Sequence, residues 1–158
     1  MNRYTLSLGI QEWIDLQLYN QNNNMIFISK SLFINLLSCI GDDNINELAI
    51  KVGDLTADIL RFLVAKPMNS NTLKQYALFS INFFGKRGLK WFNILDIEVI
   101  DSKLIFRGIH DLQEKFSDFF THFYKYLLNA HFNLDFITSI EEITPGIIHL
   151  EFKLREEK

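Results

Sequence analysis

The sequence predicts an α+β protein in which a strand and two short helices precede further helices and an antiparallel sheet. Three observations carry this prediction. Residues 3–8 alternate between polar and apolar side chains, which is the period of a half-buried strand. Residues 10–84 repeatedly place apolar residues three and four positions apart, which is the period of amphipathic helices. Residues 91–154 contain two strand pairs around one amphipathic helix, and this ββαββ order is typical of an antiparallel sheet with a helix on one face.

The opening strand has two distinct faces, with one set of alternating residues apolar and the other polar. The apolar set is Tyr4, Leu6 and Leu8, and the polar set is Arg3, Thr5 and Ser7. A first helix begins near Ile10 and ends at the Asn-rich residues 20–24, since such side chains favour turns. Ser29 and Ser31 are both suitable N-caps for a second helix. So short a unit cannot bury its apolar face alone, and we therefore expect the strand to pair with its copy in a second subunit.

The elements that follow are bounded by turn and capping residues. Asn44 and Glu47 form a capping-box-like start to a third helix. Its predicted apolar stripe is Ile45, Leu48, Val52, Leu55, Ile59 and Phe62. The predicted later elements are a helix over 72–84, strands over 91–100 and 103–107, a helix over 110–130, and strands over 136–143 and 147–154. We expect two units, a dimerisation or DNA-binding module over 1–43 and a helical connection with an α+β domain over 44–158.

Three short segments of the first unit resemble ribbon-helix-helix transcription regulators. These segments are Arg3-Tyr4-Thr5-Leu6-Ser7-Leu8, Glu12-Trp13-Ile14-Asp15 and Ser29-Lys30-Ser31-Leu32-Phe33-Ile34, and the resemblance covers about a quarter of the chain. It implies a homodimer or higher homo-oligomer with a swapped two-stranded ribbon and DNA as a partner. Arg3, Thr5 and Ser7 would then read base edges. Ser29, Lys30 and Ser31 would meet a phosphate at a helix N-terminus.

The charge distribution keeps a second interpretation open. The net charge is −3, and Arg3 and Lys30 are the only cationic residues before position 50. DNA could therefore be bound only by a local patch. The alternative to a DNA-binding regulator is a dimeric ligand-binding or scaffold protein whose opening module only dimerises.

The second unit is similar, in its order of elements, to the vinyl-reductase-like and transport-particle-like small-molecule-binding domains. This likeness implies a small-molecule effector. Lys86, Arg87 and Lys90 lie around Gly85 and Gly88 and are candidate anion or ligand contacts. The segment fits neither a Walker loop nor a dinucleotide fingerprint, so a solvated turn is the commoner explanation.

The sequence offers no constellation typical of an enzyme or a metal site. His110, Glu114, Asp118 and His122 are spaced by four, which more often marks a solvated helix face than a metal site. No nucleophile has a recognisable neighbouring base, and we expect no enzyme activity and no cofactor. The single Cys39 favours a reducing compartment, and no apolar run of about 18 residues is present. We therefore expect a cytoplasmic protein without a membrane partner.

Overall fold

The computed structural model describes residues 29–86, 88–132 and 136–154. The predicted opening strand and first helix lie outside these residues, so the N-terminal ribbon stays a prediction. The described elements, in chain order, are α1 (Lys30–Ser38), α2 (Asp42–Val64), a 3-10 turn (Ser70–Thr72), α3 (Leu73–Phe84), β1 (Ile94–Ile100), β2 (Lys103–Ile109), α4 (Glu114–His131), β3 (Phe136–Thr144) and β4 (Ile147–Leu154). This mixture of helices with one antiparallel sheet confirms the predicted α+β class.

The four strands form a single antiparallel sheet in the order β1-β2-β4-β3. Both predicted hairpins are present, and they join because β2 pairs with β4. In this central pair Phe106 lies opposite Leu150, and both side chains are fully buried. The neighbouring positions, Arg107 and His149, point to the other face, which is open to solvent in part. One face of the sheet therefore carries the core.

Helices α3 and α4 cover this face, α3 on β1 and α4 on β3 and β4. The apolar stripe predicted for α4 is buried, including Phe116, Phe119, Phe120, Phe123 and Leu127. The helix begins at Glu114, four residues after the predicted start, and residues 110–113 form the connection from β2. The helix predicted to cover one face of the sheet is therefore present, and α3 covers part of the same face.

Helix α2 packs against α4 through small side chains. Its buried residues include Ala49, Gly53 and Ala57, whereas Leu55 and Phe62 of the predicted stripe are 55% and 48% exposed. The predicted stripe was therefore wrong in these two positions, because the close contact between the helices selects small residues. None of the described helices, α2 included, has both the length and the apolarity that a membrane span requires.

Candidate functional site

The N-terminal end of α1 carries the described part of the predicted DNA-binding set. Ser29 is the N-cap, and its Oγ accepts a hydrogen bond from the Leu32 backbone N–H at 3.1 Å. The predicted capping role is confirmed, and the hydroxyl is already engaged within the helix. Ser31 is exposed. The strand residues Arg3, Thr5 and Ser7 lie outside the described residues.

Lys30 joins this helix end to the second predicted basic segment. Its Nζ donates to the backbone carbonyl of Lys90 at 2.9 Å and lies 3.4 Å from Asp111 Oδ1. The pKa of Asp111 lies below its usual value for two reasons. The carboxylate accepts a hydrogen bond from the backbone N–H of Asp111, and Lys30 contributes both a hydrogen bond and a positive charge. Residues 29–31 and the described residues 85, 86 and 88–90, far apart in sequence, thus meet at one place, which we call the basic corner.

The turn of the basic corner uses its backbone donors internally. The N–H groups of Gly88 and Lys90 both donate to the carbonyl of Gly85, at 3.1 and 3.2 Å. A Cβ at Gly88 would lie 2.1 Å from the Phe83 carbonyl oxygen, so only glycine fits there. Lys86 and Lys90 are exposed, and Arg87 lies outside the described residues. An anion at this turn would therefore find the Gly88 and Lys90 N–H groups already engaged, and the exposed lysine side chains are the contacts left to it.

Helix α1 is attached to the α+β part along its length. The Phe33 ring packs edge-on against Trp91 and Phe119, at centroid distances of 4.8 and 5.2 Å. At the other end of the helix, Lys115 Nζ donates to the Ile40 carbonyl at 2.6 Å and lies 3.1 Å from Asp42. The predicted unit boundary between residues 43 and 44 stays a prediction, but α1 is in contact with the elements beyond it.

His110 is a buried residue that joins three segments near the basic corner. Its Nδ1 accepts from the Leu112 N–H at 3.1 Å, and its Nε2 lies 2.9 Å from Ser117 Oγ. Ser117 in turn donates to the Thr144 carbonyl at 3.2 Å. Since Nδ1 is an acceptor, the proton lies on Nε2, and the ring cannot serve as a base for Ser117. Burial lowers the pKa of His110, and so favours this neutral form.

The spaced polar residues of the α4 region do not form one helix face, because His110 lies before the helix begins. His122 is exposed, whereas His110 is buried against Ser117. Within the described ranges, no group of three or more His, Cys, Asp or Glu side chains is arranged to hold a metal ion.

A polar cluster between α2 and α4 was not predicted. Asp54 Oδ1 accepts from the Tyr126 hydroxyl at 2.8 Å and lies 2.9 Å from His131 Nε2. Arg61 approaches the other ring nitrogen of His131 at 3.0 Å. The hydrogen bond to Asp54 raises the pKa of Tyr126. These residues come from two helices, and Gly53, which has no side chain and lies beside Asp54, was one sequence signal of a close helix contact.

A small cavity lies between α3, α4 and the β1–β2 hairpin. It is lined mainly by apolar side chains, among them Leu104, Phe106 and Leu127, and its volume of about 20 Å³ leaves room for roughly one water molecule. Tyr124 also lines it, and its buried hydroxyl has no hydrogen-bond partner among the described residues. Burial raises the pKa of Tyr124 far above its usual value, so the hydroxyl stays protonated.

Comparison of the chain with family models, with curated proteins and with solved structures finds no match in any of the three.

Proposed function

We propose that the chain is a sequence-specific DNA-binding transcription regulator that acts as a homodimer, with its α+β part serving in ligand sensing or oligomerisation. The observation that carries the proposal is the basic corner, where Lys30 reaches the backbone of Lys90 at 2.9 Å. Two segments predicted to meet anions thus adjoin at one helix N-terminus. This arrangement supports a local phosphate-binding patch on a chain whose net charge is −3.

The chemistry of the side chains assigns some of them to bases and others to phosphates. Arg3, Thr5 and Ser7 of the predicted ribbon would form hydrogen bonds with base edges in the major groove. Lys30 and Lys90 would contact phosphates beside the groove, and such contacts fix the position of a protein without reading sequence. In a symmetric dimer each contact occurs twice, once in each half-site.

The pairing of Lys30 with Asp111 is weak enough to be exchanged for a phosphate. The two side chains are 28% and 67% exposed, and their closest atoms are 3.4 Å apart. Ion pairs of this kind contribute about 0–1 kcal/mol. A phosphate offers Lys30 a comparable contact and also releases counterions, so the exchange is favourable at low salt.

The test begins with selection of bound sequences from random DNA by the purified full chain at two salt concentrations. For a selected sequence, the slope of log affinity against log salt is then compared between wild type, Lys30→Ala and Lys90→Ala. Each substitution removes two phosphate contacts per dimer, so the slope should become shallower by about 1.8.

The control is Lys51→Ala on α2, a more exposed lysine that, like Lys30, has an ion-pair partner, Glu47, at 2.6 Å. Its slope should equal that of the wild type. The proposal fails if the wild type shows no salt-sensitive DNA binding, or if all three variants change alike.

The second candidate is a dimeric ligand-binding or scaffold protein that does not bind DNA. The attachment of α1 favours it, because Lys30 and Lys115 both bind groups within the chain and Phe33 packs against Trp91 and Phe119. The cavity beside Tyr124 would then be the starting point of a ligand site. The selection experiment distinguishes the two candidates. A ligand-binding or scaffold protein should be dimeric and stable but should enrich no sequence from the random DNA.

A further inference from the structure

We propose that His110 is the latch of a pH-sensitive switch, in which a second proton on its ring releases the N-terminal end of α1 from the α+β part. The inference goes beyond the proposed function and does not depend on DNA binding. It starts from the position of His110, which is buried one residue before Asp111, the ion-pair partner of Lys30 on α1.

The neutral ring holds three segments together. Its Nδ1 accepts from the Leu112 N–H, which fixes the turn that leads into α4. Its Nε2–H donates to the Ser117 hydroxyl on α4, and this hydroxyl donates in turn to the Thr144 carbonyl. The backbone N–H of His110 also donates to the Gly146 carbonyl at 2.9 Å, so the β3–β4 turn is tied to the same residue.

A second proton, taken from water, reverses one of these contacts. It would sit on Nδ1, which is 3.1 Å from the Leu112 nitrogen, and two N–H donors would then face each other. The turn from 110 to 113 must open to relieve this contact. Burial opposes the charged ring as well, and the ring of Phe116, 4.7 Å away between centroids, offers no acceptor for the new proton.

The charged groups around His110 couple the opening of this turn to α1. Among the residues that the structure describes, Asp111 favours the imidazolium and Lys30 opposes it. From α4 the ring meets Ser117 and Phe116, whereas the β3–β4 turn contacts the backbone N–H of His110 through the Gly146 carbonyl. The imidazolium therefore competes with Lys30 for the Asp111 carboxylate, which is one of the two groups that hold Lys30 at the N-terminal end of α1.

The experiment is hydrogen exchange of the full chain at about pH 7.5 and about pH 5, with labelling times scaled for the intrinsic pH dependence. In the wild type, α1 amides should lose protection by up to about fivefold at the lower pH, the limit set by an exposed ion pair, while amides of β2 and β4 keep theirs. His110→Asn should abolish this loss, because an Asn side chain can still accept from the Leu112 N–H but does not titrate. His122→Asn, at an exposed histidine of α4, should respond as the wild type does.

Three results would overturn the proposal: unchanged α1 protection in the wild type, an equal loss in His110→Asn, or simultaneous loss of protection in the sheet. A second variant keeps the test valid if His110→Asn does not fold. Asp111→Asn removes this carboxylate charge at an exposed position, so its α1 protection should already be lower than in the wild type at about pH 7.5 and should fall less in acid. An undiminished acid response in Asp111→Asn would equally exclude the latch.

Discussion

The contact between α2 and α4 at Gly53 makes a quantitative prediction. A Cβ on Gly53 would lie 2.8 Å from Cδ1 and 3.3 Å from Cε1 of the Tyr126 ring. The ring cannot easily move aside, since its hydroxyl is bonded to Asp54 at 2.8 Å. In a helix interior, Gly→Ala ordinarily stabilises a protein by about 1 kcal/mol. Overpacking of a tight contact costs about 1–3 kcal/mol, so Gly53→Ala should be neutral to destabilising by about 2 kcal/mol.

The sign of this effect should reverse when the ring is removed. In a Tyr126→Ala background the new methyl group has space, and Gly53→Ala should then stabilise the protein by about 1 kcal/mol. The loss of the bond to Asp54 is common to both members of that background and cancels in the comparison. Urea unfolding followed by circular dichroism gives the four free energies of unfolding that the cycle needs. Equal stabilisation by Gly53→Ala in both backgrounds would refute the packing argument.

Three further predictions concern single side chains, each checked by the free energy of unfolding in urea. Tyr124→Phe should be neutral or slightly stabilising, because its buried hydroxyl has no partner among the described residues, and a loss of about 1 kcal/mol or more would contradict this. Lys115→Met should cost about 1 kcal/mol, since it removes the bond to the Ile40 carbonyl while keeping the aliphatic stem. The lowered pKa of His110 means that the unfolded chain binds its proton first. Its contribution to stability is thus complete above about pH 6.5 and is lost as the pH falls, a decline that should be smaller in His110→Asn.

Local chemistry made much of the fold predictable from the sequence. The hairpin around Pro145 and Gly146 was placed correctly, and β4 has the predicted bounds, Ile147–Leu154. Gly146 adopts a φ of 88°, a conformation that glycine tolerates and that turns require. Ser29 caps α1 as predicted, because a serine before an apolar period satisfies the first free backbone donors. Such signals lie within a few residues of the feature they determine.

The features that were missed depend on contacts between distant segments. Leu55 and Phe62 belong to a regular apolar period, yet α2 buries its small residues because α4 approaches it closely. The bond of Asp54 to Tyr126 spans 72 positions and that of Lys30 to Lys90 spans 60. Side-chain type and local period contain no information about such distances. The basic corner was therefore predicted as two separate segments, and their meeting came from the structure.

Lys30 links the two proposals, since a DNA phosphate and Asp111 would compete for the same Nζ. A phosphate that takes Lys30 must break the pair with Asp111, and protonation of His110 weakens that pair beforehand. By linkage, each event should favour the other. The gain cannot exceed the strength of an exposed ion pair, about 1 kcal/mol, or roughly fivefold in affinity per lysine.

Titration of DNA binding at about pH 7.5 and about pH 5 should therefore show a larger increase in affinity in acid for the wild type than for His110→Asn, with His122→Asn matching the wild type. If His110→Asn and wild type gain equally in acid, DNA does not compete with Asp111 for Lys30.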